Sequence, residues 1–495
     1  MTDPLRQVTA YDCIVIGTGI AGLTAAATLA CEGAKVLVLE KNKTPGGYLQ
    51  SFTRKGATFD SCVDCFSGLD SNGPITYLLE ALGVRDELDI IKVDPIRTSI
   101  FPAVSDGEGQ MTIEVHGDLK RYIEELKGFF PHEALGIDSF FVVLSDIYSD
   151  IKGWGEGLIN TAVRPVMPVN LMKYRSYTFA QVLDSHIKDE KLKAVLSDRC
   201  PFIGLPPGEV SAVGMTALIM SYFSGAYRIK GGGQRLADAF VRGIRGKGGE
   251  VLFEKEVVAI GCENGAASSV TTADGCEFTA RHIISNADYT ATTRRLLKAG
   301  QEVTAAVKSE TLPEVSSSFF ILYMLAEIDL SGLGNTSSIG FYPSFDMDLN
   351  FGKGAEFSAD SSIGITIPTV LDPGLAPDGQ HIIIAHEMTS FDYTDSWRRD
   401  KGVLSEKVLQ KASRAIPGLI GGVIFKEAAT PATLMRYTGG EKGAAYGWKQ
   451  TTALRPVKSP LKNLYFAGHW EGIGGGVLAA VYSGLKAARE IEKLL

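Results

Sequence analysis

The sequence predicts an α/β chain in which a parallel-sheet domain, assembled from separated segments, carries an inserted α+β domain. Three observations predict it. A strand–glycine turn–helix–strand unit opens the chain, and a strand–glycine loop–helix unit closes it. Between them lie far more residues than one hydrophobic core can hold, since the chain has 495 and cores stop growing near ~250–300.

The opening unit begins with Asp12 to Ile16, a short apolar run read as a buried strand. Gly17-Thr18-Gly19-Ile20-Ala21-Gly22 follows at once. Apolar positions then recur at helical spacing from Ile20 to Glu32, and Lys35 to Leu39 reads as a second buried strand ending in Glu40. Each glycine has a physical task. Gly17 allows the tight turn, Gly19 lets backbone approach a pyrophosphate, and Gly22 permits close helix–strand packing. The helix N-terminus, with Ile20 and Ala21 in its first turn, offers unpaired N–H groups to phosphate. Glu40 is placed to accept from ribose hydroxyls. This is a dinucleotide-binding Rossmann unit.

Three features favour FAD over NAD. Glu40-Lys41 is followed by Gly46-Gly47-Tyr48, and a double glycine there lets backbone pass close to a long cofactor. Asn463 to Gly468 reads as a buried strand leading through His469-Trp470-Glu471 and Gly474-Gly475-Gly476 into a helix from Val477 to about Lys493. A helix N-terminus aimed there suits the pyrimidine edge of a flavin, where reduction places negative charge. Finally, no second dinucleotide fingerprint is present. Gly231-Gly232-Gly233 reads as a helix start against the sheet, followed by a strand from Val251 to Ile260. Electrons must then leave to an acceptor such as oxygen or a quinone, or to the substrate itself.

Composition narrows the function classes. A formal charge of −8 argues against nucleic acid, whose phosphates need clustered Lys and Arg. Seven cysteines, odd in number and scattered, form no disulfide framework and suit a reducing cytoplasm. Met1 to Ala10 does not read as a signal peptide. The apolar segment Val210 to Phe223 falls short of the ~20 residues that span a bilayer and reads as a buried helix, with core packing and lining of an apolar tunnel both open. Trp154 to Arg175 mixes apolar residues with Arg164, Lys173 and Arg175. A plain surface segment is the simpler reading, and peripheral membrane contact stays open.

Residues at both ends resemble the phytoene desaturase-like flavoproteins, the group of bacterial phytoene desaturases, carotenoid cis–trans isomerases and retinol saturases. The resemblance is carried by Val38-Leu39-Glu40-Lys41, Pro45-Gly46-Gly47, Phe59-Asp60, Gly231-Gly232-Gly233, Ser285-Asn286-Ala287, Tyr446-Gly447-Trp448, Arg455-Pro456 and Gly474-Gly475-Gly476-Val477. It implies a glutathione-reductase-like FAD domain from 8–92, 228–310 and 440–495, and a substrate domain from 93–227 and 311–439. It also implies that the Val257 backbone approaches the adenine, and that Gly468 and the loop to Val477 meet the ribityl chain and flavin. Two positions depart from the pattern. Tyr48 stands where bacterial desaturases and amine oxidases carry Arg, and His469-Trp470-Glu471 stands where many members carry Asp or small residues.

Flavin chemistry on a polyene needs few protein acids or bases, because the cofactor does the difficult step. The expected candidates are His469 as acid, base or donor and Glu471 as base, with a loop-holding role open for each. Asp60, Asp64, Phe223, Trp448 and Trp470 are the expected substrate-lining residues, Asp60 being mainly structural. Cys62 and Cys65 form a CxxC for which two small buried residues are a plainer reading than a redox dithiol. No metal motif stands out. The leading expectation is an FAD-dependent oxidoreductase acting on C–C or C=C bonds of an apolar isoprenoid or polyene. The alternatives are a flavin amine or amino-acid oxidase, and a non-catalytic lipid-binding escort on the same fold.

Overall fold

A computed structural model describes residues 10–103, 109–162, 167–298, 300, 305, 307, 309–351 and 356–495. Residues 1–9, on which the leader-peptide expectation rests, and Arg164 lie outside these.

Two sheets organise the chain. The first has eight strands among the described residues. Ala10–Ile16 lies at its centre, parallel to Val36–Leu39 on one side and to Glu277–Ser285 on the other, and Leu464–Phe466 joins in parallel with Glu277–Ser285. In register, Ile16 pairs with Leu39 and Ser285, and Ser285 pairs with Phe466. The carboxyl ends of four parallel strands therefore meet at one edge, which is where open α/β sheets bind ligands. Val36–Leu39 is buried at every position, as a parallel strand covered on both faces should be.

The helix Ile20–Cys31 packs on this sheet between the helices Gln234–Gly246 and Val477–Glu492. It is buried nearly all round, from Ile20 to Ala30. Small residues make that possible. A Cβ on Gly484 would stand 2.3 Å from the Ala21 carbonyl oxygen, so only glycine lets the C-terminal helix approach so closely.

The strand expected over Val251 to Ile260 is two strands, Glu250–Leu252 and Val257–Glu263. Glu250–Leu252 pairs with Val36–Leu39 at one edge, while Val257–Glu263 joins an antiparallel meander on the far side. The break falls in the charged run Glu254-Lys255-Glu256, where Glu254 adopts φ 54°, a left-handed conformation that ends extended pairing.

The second sheet has seven strands, ordered Val423–Ala429, Ser318–Ala326, His381–Thr389, Ile363–Thr366, Ser338–Phe341, Arg97–Phe101 and Met111–Val115. Its outer face is covered by the helix Trp397–Ala415, and a helical layer from Leu119 to Phe223 encloses a separate core. The fold is a mixed α/β arrangement of a Rossmann-like sheet with a separate mixed sheet. No described helix is long and apolar enough to cross a membrane.

Candidate active site

The turn after Ile16 is built for backbone approach. Gly17 has φ 93°, which favours glycine. A Cβ on Gly22 would stand 2.2 Å from the Gly17 carbonyl oxygen, and one on Gly19 would stand 2.6 Å from the Asn286 side chain. Gly22, expected among the cofactor-binding positions, does not line the cavity; it seats the helix on the turn. Glu40 is buried, and its carboxylate organises the turn. One oxygen accepts from the Thr18 N–H at 2.8 Å and from its hydroxyl, and the other accepts from Asn42 at 2.9 Å.

These residues open into one continuous cavity of about 1020 Å³. One arm is lined by Gly17, Gly19, Ile20, Ala21, Glu40, Lys41, Val257 and Gly46. Burial depresses the Lys41 ammonium pKa. Gly47, Tyr48, Gly468, Gly475, Gly476 and Val477 carry the wall onward to the middle. A cleft lined by glycine backbone, with helices starting at Ile20 and Val477, fits a dinucleotide. A Cβ on Gly475 would lie 2.7 Å from Tyr446, so that loop leaves no room for a side chain.

The middle of the cavity holds the two departures from the family pattern. Tyr48 donates to the Ala444 carbonyl at 2.8 Å, and its ring centroid lies 5.9 Å from that of His469. Burial holds the His469 imidazole down at about 4, so the ring is neutral near pH 7 rather than poised at neutrality. Trp470 lines the wall beside it, edge-on to His469 at 5.3 Å.

Glu471 turns the other way. It does not line the cavity; its carboxylate accepts from Lys486 at 2.6 Å and from Ser483 at 3.3 Å. The Ser483 hydroxyl in turn accepts from the Gly468 N–H at 3.0 Å. The expected base is a brace between the glycine loop and the C-terminal helix. Trp448 is likewise off the wall, its indole donating to the Trp470 carbonyl at 2.8 Å. Phe223 points into the helical core against Tyr122, and Tyr222 lines the cavity in its place.

Asp60 and Asp64 both line the cavity and are both occupied. Asp60 accepts from Arg228 at 2.7 Å, Ser51 at 2.7 Å and the Gly233 N–H at 2.8 Å. It ties the hairpin Ser51–Asp60 to the helix that Gly231-Gly232-Gly233 opens. Asp64 accepts from Ser338 at 2.6 Å, and burial raises its carboxyl pKa. Cys62 and Cys65 face the same space as free thiols. Desolvation within the cavity pushes Cys62 up to about 12 and raises Cys65 as well. The two are not buried as expected, since Cys62 is exposed on the cavity wall and Cys65 half-buried, but thiols so held are no nucleophiles at neutral pH.

The other arm is apolar. The helix Ala212–Phe223 settles both open roles for its segment: Val213, Ala217 and Leu218 face the cavity, while Met215, Ile219 and Met220 sit in the core. Opposite them, the second sheet presents Phe319, Ile321, Ile384 and Met388. Trp154, Pro168, Leu171 and Arg175 also border the cavity. Sequence reasoning missed Asn286, which crowds Gly19 and Gly468, although Ser285-Asn286-Ala287 was visible as a motif. It also missed Arg97 and His386 on the second sheet, which no local pattern marks.

The comparisons agree with this geometry. Residues 15–82 match the model of an NAD(P)-binding Rossmann-like domain. Residues 211–492, more than half of the chain, match that of the flavin containing amine oxidoreductases. The chain is 27% identical to prolycopene isomerase 1, chloroplastic, of an Oncidium hybrid cultivar, over 98% of this chain and 84% of that one. It is 24% identical to the all-trans-retinol 13,14-reductase of Danio rerio, over 92% of this chain and 82% of that one. An oxidoreductase from Methanosarcina mazei has the same fold, with a TM-score of 0.64, 19% identity and coverage of 97% and 99% of the two chains. Glycine cradle, paired sheets and these matches together assign the chain to the flavin-containing amine oxidoreductase family, as a flavin-dependent oxidoreductase of the phytoene desaturase-like group.

Proposed function

We propose that the chain holds FAD along the glycine-lined arm and acts on a C–C or C=C bond of an apolar, polyene-like substrate in the other arm. The observation that carries this reading is the pairing of a backbone cradle with a wall of Val213, Leu218, Phe319, Ile321, Ile384 and Met388 in one cavity. Relatives named for prolycopene isomerisation and for 13,14-reduction of all-trans-retinol support the substrate class.

Gly17, Gly19 and the Ile20 helix start would hold the pyrophosphate, Glu40 the ribose, and Tyr48, Gly468 and the Gly475–Val477 loop the flavin end. Bound FAD supplies a site that can take or give a hydride. The protein's part is to orient and to dry the site. The apolar wall excludes water, and Tyr48 is fixed by its bond to Ala444. Neutral His469 can donate or accept one hydrogen bond beside the ring system but carries no charge to repel an apolar chain.

An amine oxidase would need a free carboxylate or a comparable device for its ammonium substrate. Asp60 is bound to Arg228, Asp64 accepts from Ser338, and Glu387 is bound to Lys411 at 2.9 Å. The test is anaerobic titration of the purified flavoprotein with cis and trans polyenes and, separately, with primary amines and amino acids. Perturbation or bleaching of the flavin spectrum by polyenes alone is the expected result. Rapid bleaching by amines with no response to polyenes overturns the proposal, and a colourless protein that takes up no FAD overturns its cofactor half.

A further inference from the structure

The floor of the apolar arm is not apolar throughout. Where the strands Arg97–Phe101, Ser338–Phe341, Ile363–Thr366 and His381–Thr389 adjoin, it presents Arg97 and His386 to the cavity. Two glycines make room for them. A Cβ on Gly340 would stand 2.2 Å from the Arg97 guanidinium, and one on Gly364 would stand 2.1 Å from the His386 ring. Gly340 and Gly364 are register partners on adjacent strands, so together they open a trough across the sheet.

Arg97 is 4% exposed, and it differs from the two other buried guanidiniums nearby. Arg228 pairs with Asp60 at 2.7 Å, and Arg199 with Asp198 at 3.1 Å. Among the described residues Arg97 donates only to hydroxyls, Ser338 at 3.4 Å and Tyr342 at 3.2 Å. Its Nε has no hydrogen-bond partner among them. Asp198 Oδ2 stands 4.0 Å from that Nε and already accepts from Ser99 at 2.6 Å. Asp64 makes no hydrogen bond to Arg97; the Ser338 hydroxyl that donates to Asp64 stands between them, and the two charges still attract. Of the three, Arg97 alone lines the cavity. The Phe202 ring, 4.7 Å from the guanidinium carbon, covers one of its faces.

A buried guanidinium with no carboxylate within hydrogen-bond distance, its nearest being Asp198 at 4.0 Å, is costly. Its planar fork matches a carboxylate in bidentate geometry. We infer that Arg97 anchors a carboxylate at one end of an otherwise apolar substrate, so that this chain takes a polyene acid in preference to a hydrocarbon. His386, which burial and the neighbouring Arg97 hold down at about 3, stays neutral, so the positive charge of the trough is that of Arg97. The inference rests on the apolar-substrate reading above and narrows it.

The test uses the flavoprotein with all-trans-retinoic acid and its methyl ester, read as changes in the flavin spectrum. The acid should bind at least about tenfold tighter than the ester, one hydrogen-bonded ion pair's worth of discrimination. R97Q should bring the ratio of acid to ester affinity to about one, and retention of bound flavin with an unaltered spectrum shows that the variant is folded. R97K should keep part of the preference. Equal binding of acid and ester to the wild type, or a preference that survives R97Q, overturns the inference and leaves the apolar-substrate reading standing. Failure of acid, ester and hydrocarbon alike to bind overturns both. So does an α-amino acid that reduces the flavin in the wild type and not in R97Q.

Discussion

The two sheets meet at one cavity and furnish it differently. The Rossmann-like sheet offers backbone: Gly17, Gly19, Gly46 and Gly475 stand where a side chain would fill the cleft or strain the turn. The second sheet offers side chains: Phe319, Ile321, Ile384 and Arg97 define the shape and charge of the other arm. A backbone surface cannot be altered without adding atoms, whereas a side-chain surface changes with each substitution. One region is therefore fixed by what it must leave out, and the other is free to choose a ligand.

The largest effect that separates them is expected at Gly22. In G22V the new side chain meets the Gly17 carbonyl, where a Cβ would already stand at 2.2 Å. Backbone must move, and overpacking of this kind costs about 1–3 kcal/mol or more. The expected outcome is protein without bound flavin, measured by visible absorbance after purification. L218A, on the opposite arm, should keep its flavin and alter only ligand affinity. Retention of flavin by G22V would show that close approach at the turn is not what holds the cofactor.

The next effect is smaller and concerns stability rather than binding. Glu471 braces the glycine loop to the C-terminal helix through Lys486 and Ser483. Breaking a fully buried pair costs about 3–5 kcal/mol. The Lys486 side chain is 30% exposed, so E471A should lose about 1–2 kcal/mol after discounting for solvent. Denaturant unfolding should record that loss, with turnover per bound flavin unchanged. A tenfold fall in turnover at full flavin content would return Glu471 to the chemistry.

The same division decides what could be read from the sequence. Gly17, Gly19, Gly22 and Glu40 are legible because a turn, a helix start and a strand end lie within one short stretch. Their roles follow from local geometry. The direction of Glu471 or Phe223 is not local. Each depends on which of two neighbours in space claims the side chain, Lys486 for one and Tyr122 for the other. Val213 and Met215 sit two residues apart on one apolar helix, and only the packing of that helix sends one to the cavity and the other to the core. Arg97 is invisible for a further reason. Its neighbours Tyr342, Phe202 and Asp198 come from segments more than a hundred residues distant, and the glycine that makes room for it is Gly340.

An effect of similar size, a dependence on pH, tests whether the two regions are both dry. Burial holds His469, at the Rossmann-like side, down at about 4, and burial with Arg97 holds His386, on the second sheet, down at about 3. An unfolded chain protonates both near 6.5. Between about 6.5 and 4 the unfolded state therefore binds more protons than the folded one, and stability falls as pH falls through that window. Carboxylates titrate there too, so the measurement is a difference of differences: denaturant unfolding at pH 7 and pH 5 for wild type, H469Q and H386Q. Each variant should lose less stability between the two pH values than the wild type, because a glutamine has no proton to take up. An effect in H469Q alone would mean that water reaches His386 on the second sheet; equal effects would mean that both histidines, one at the flavin end and one at the trough beside Arg97, are held out of water.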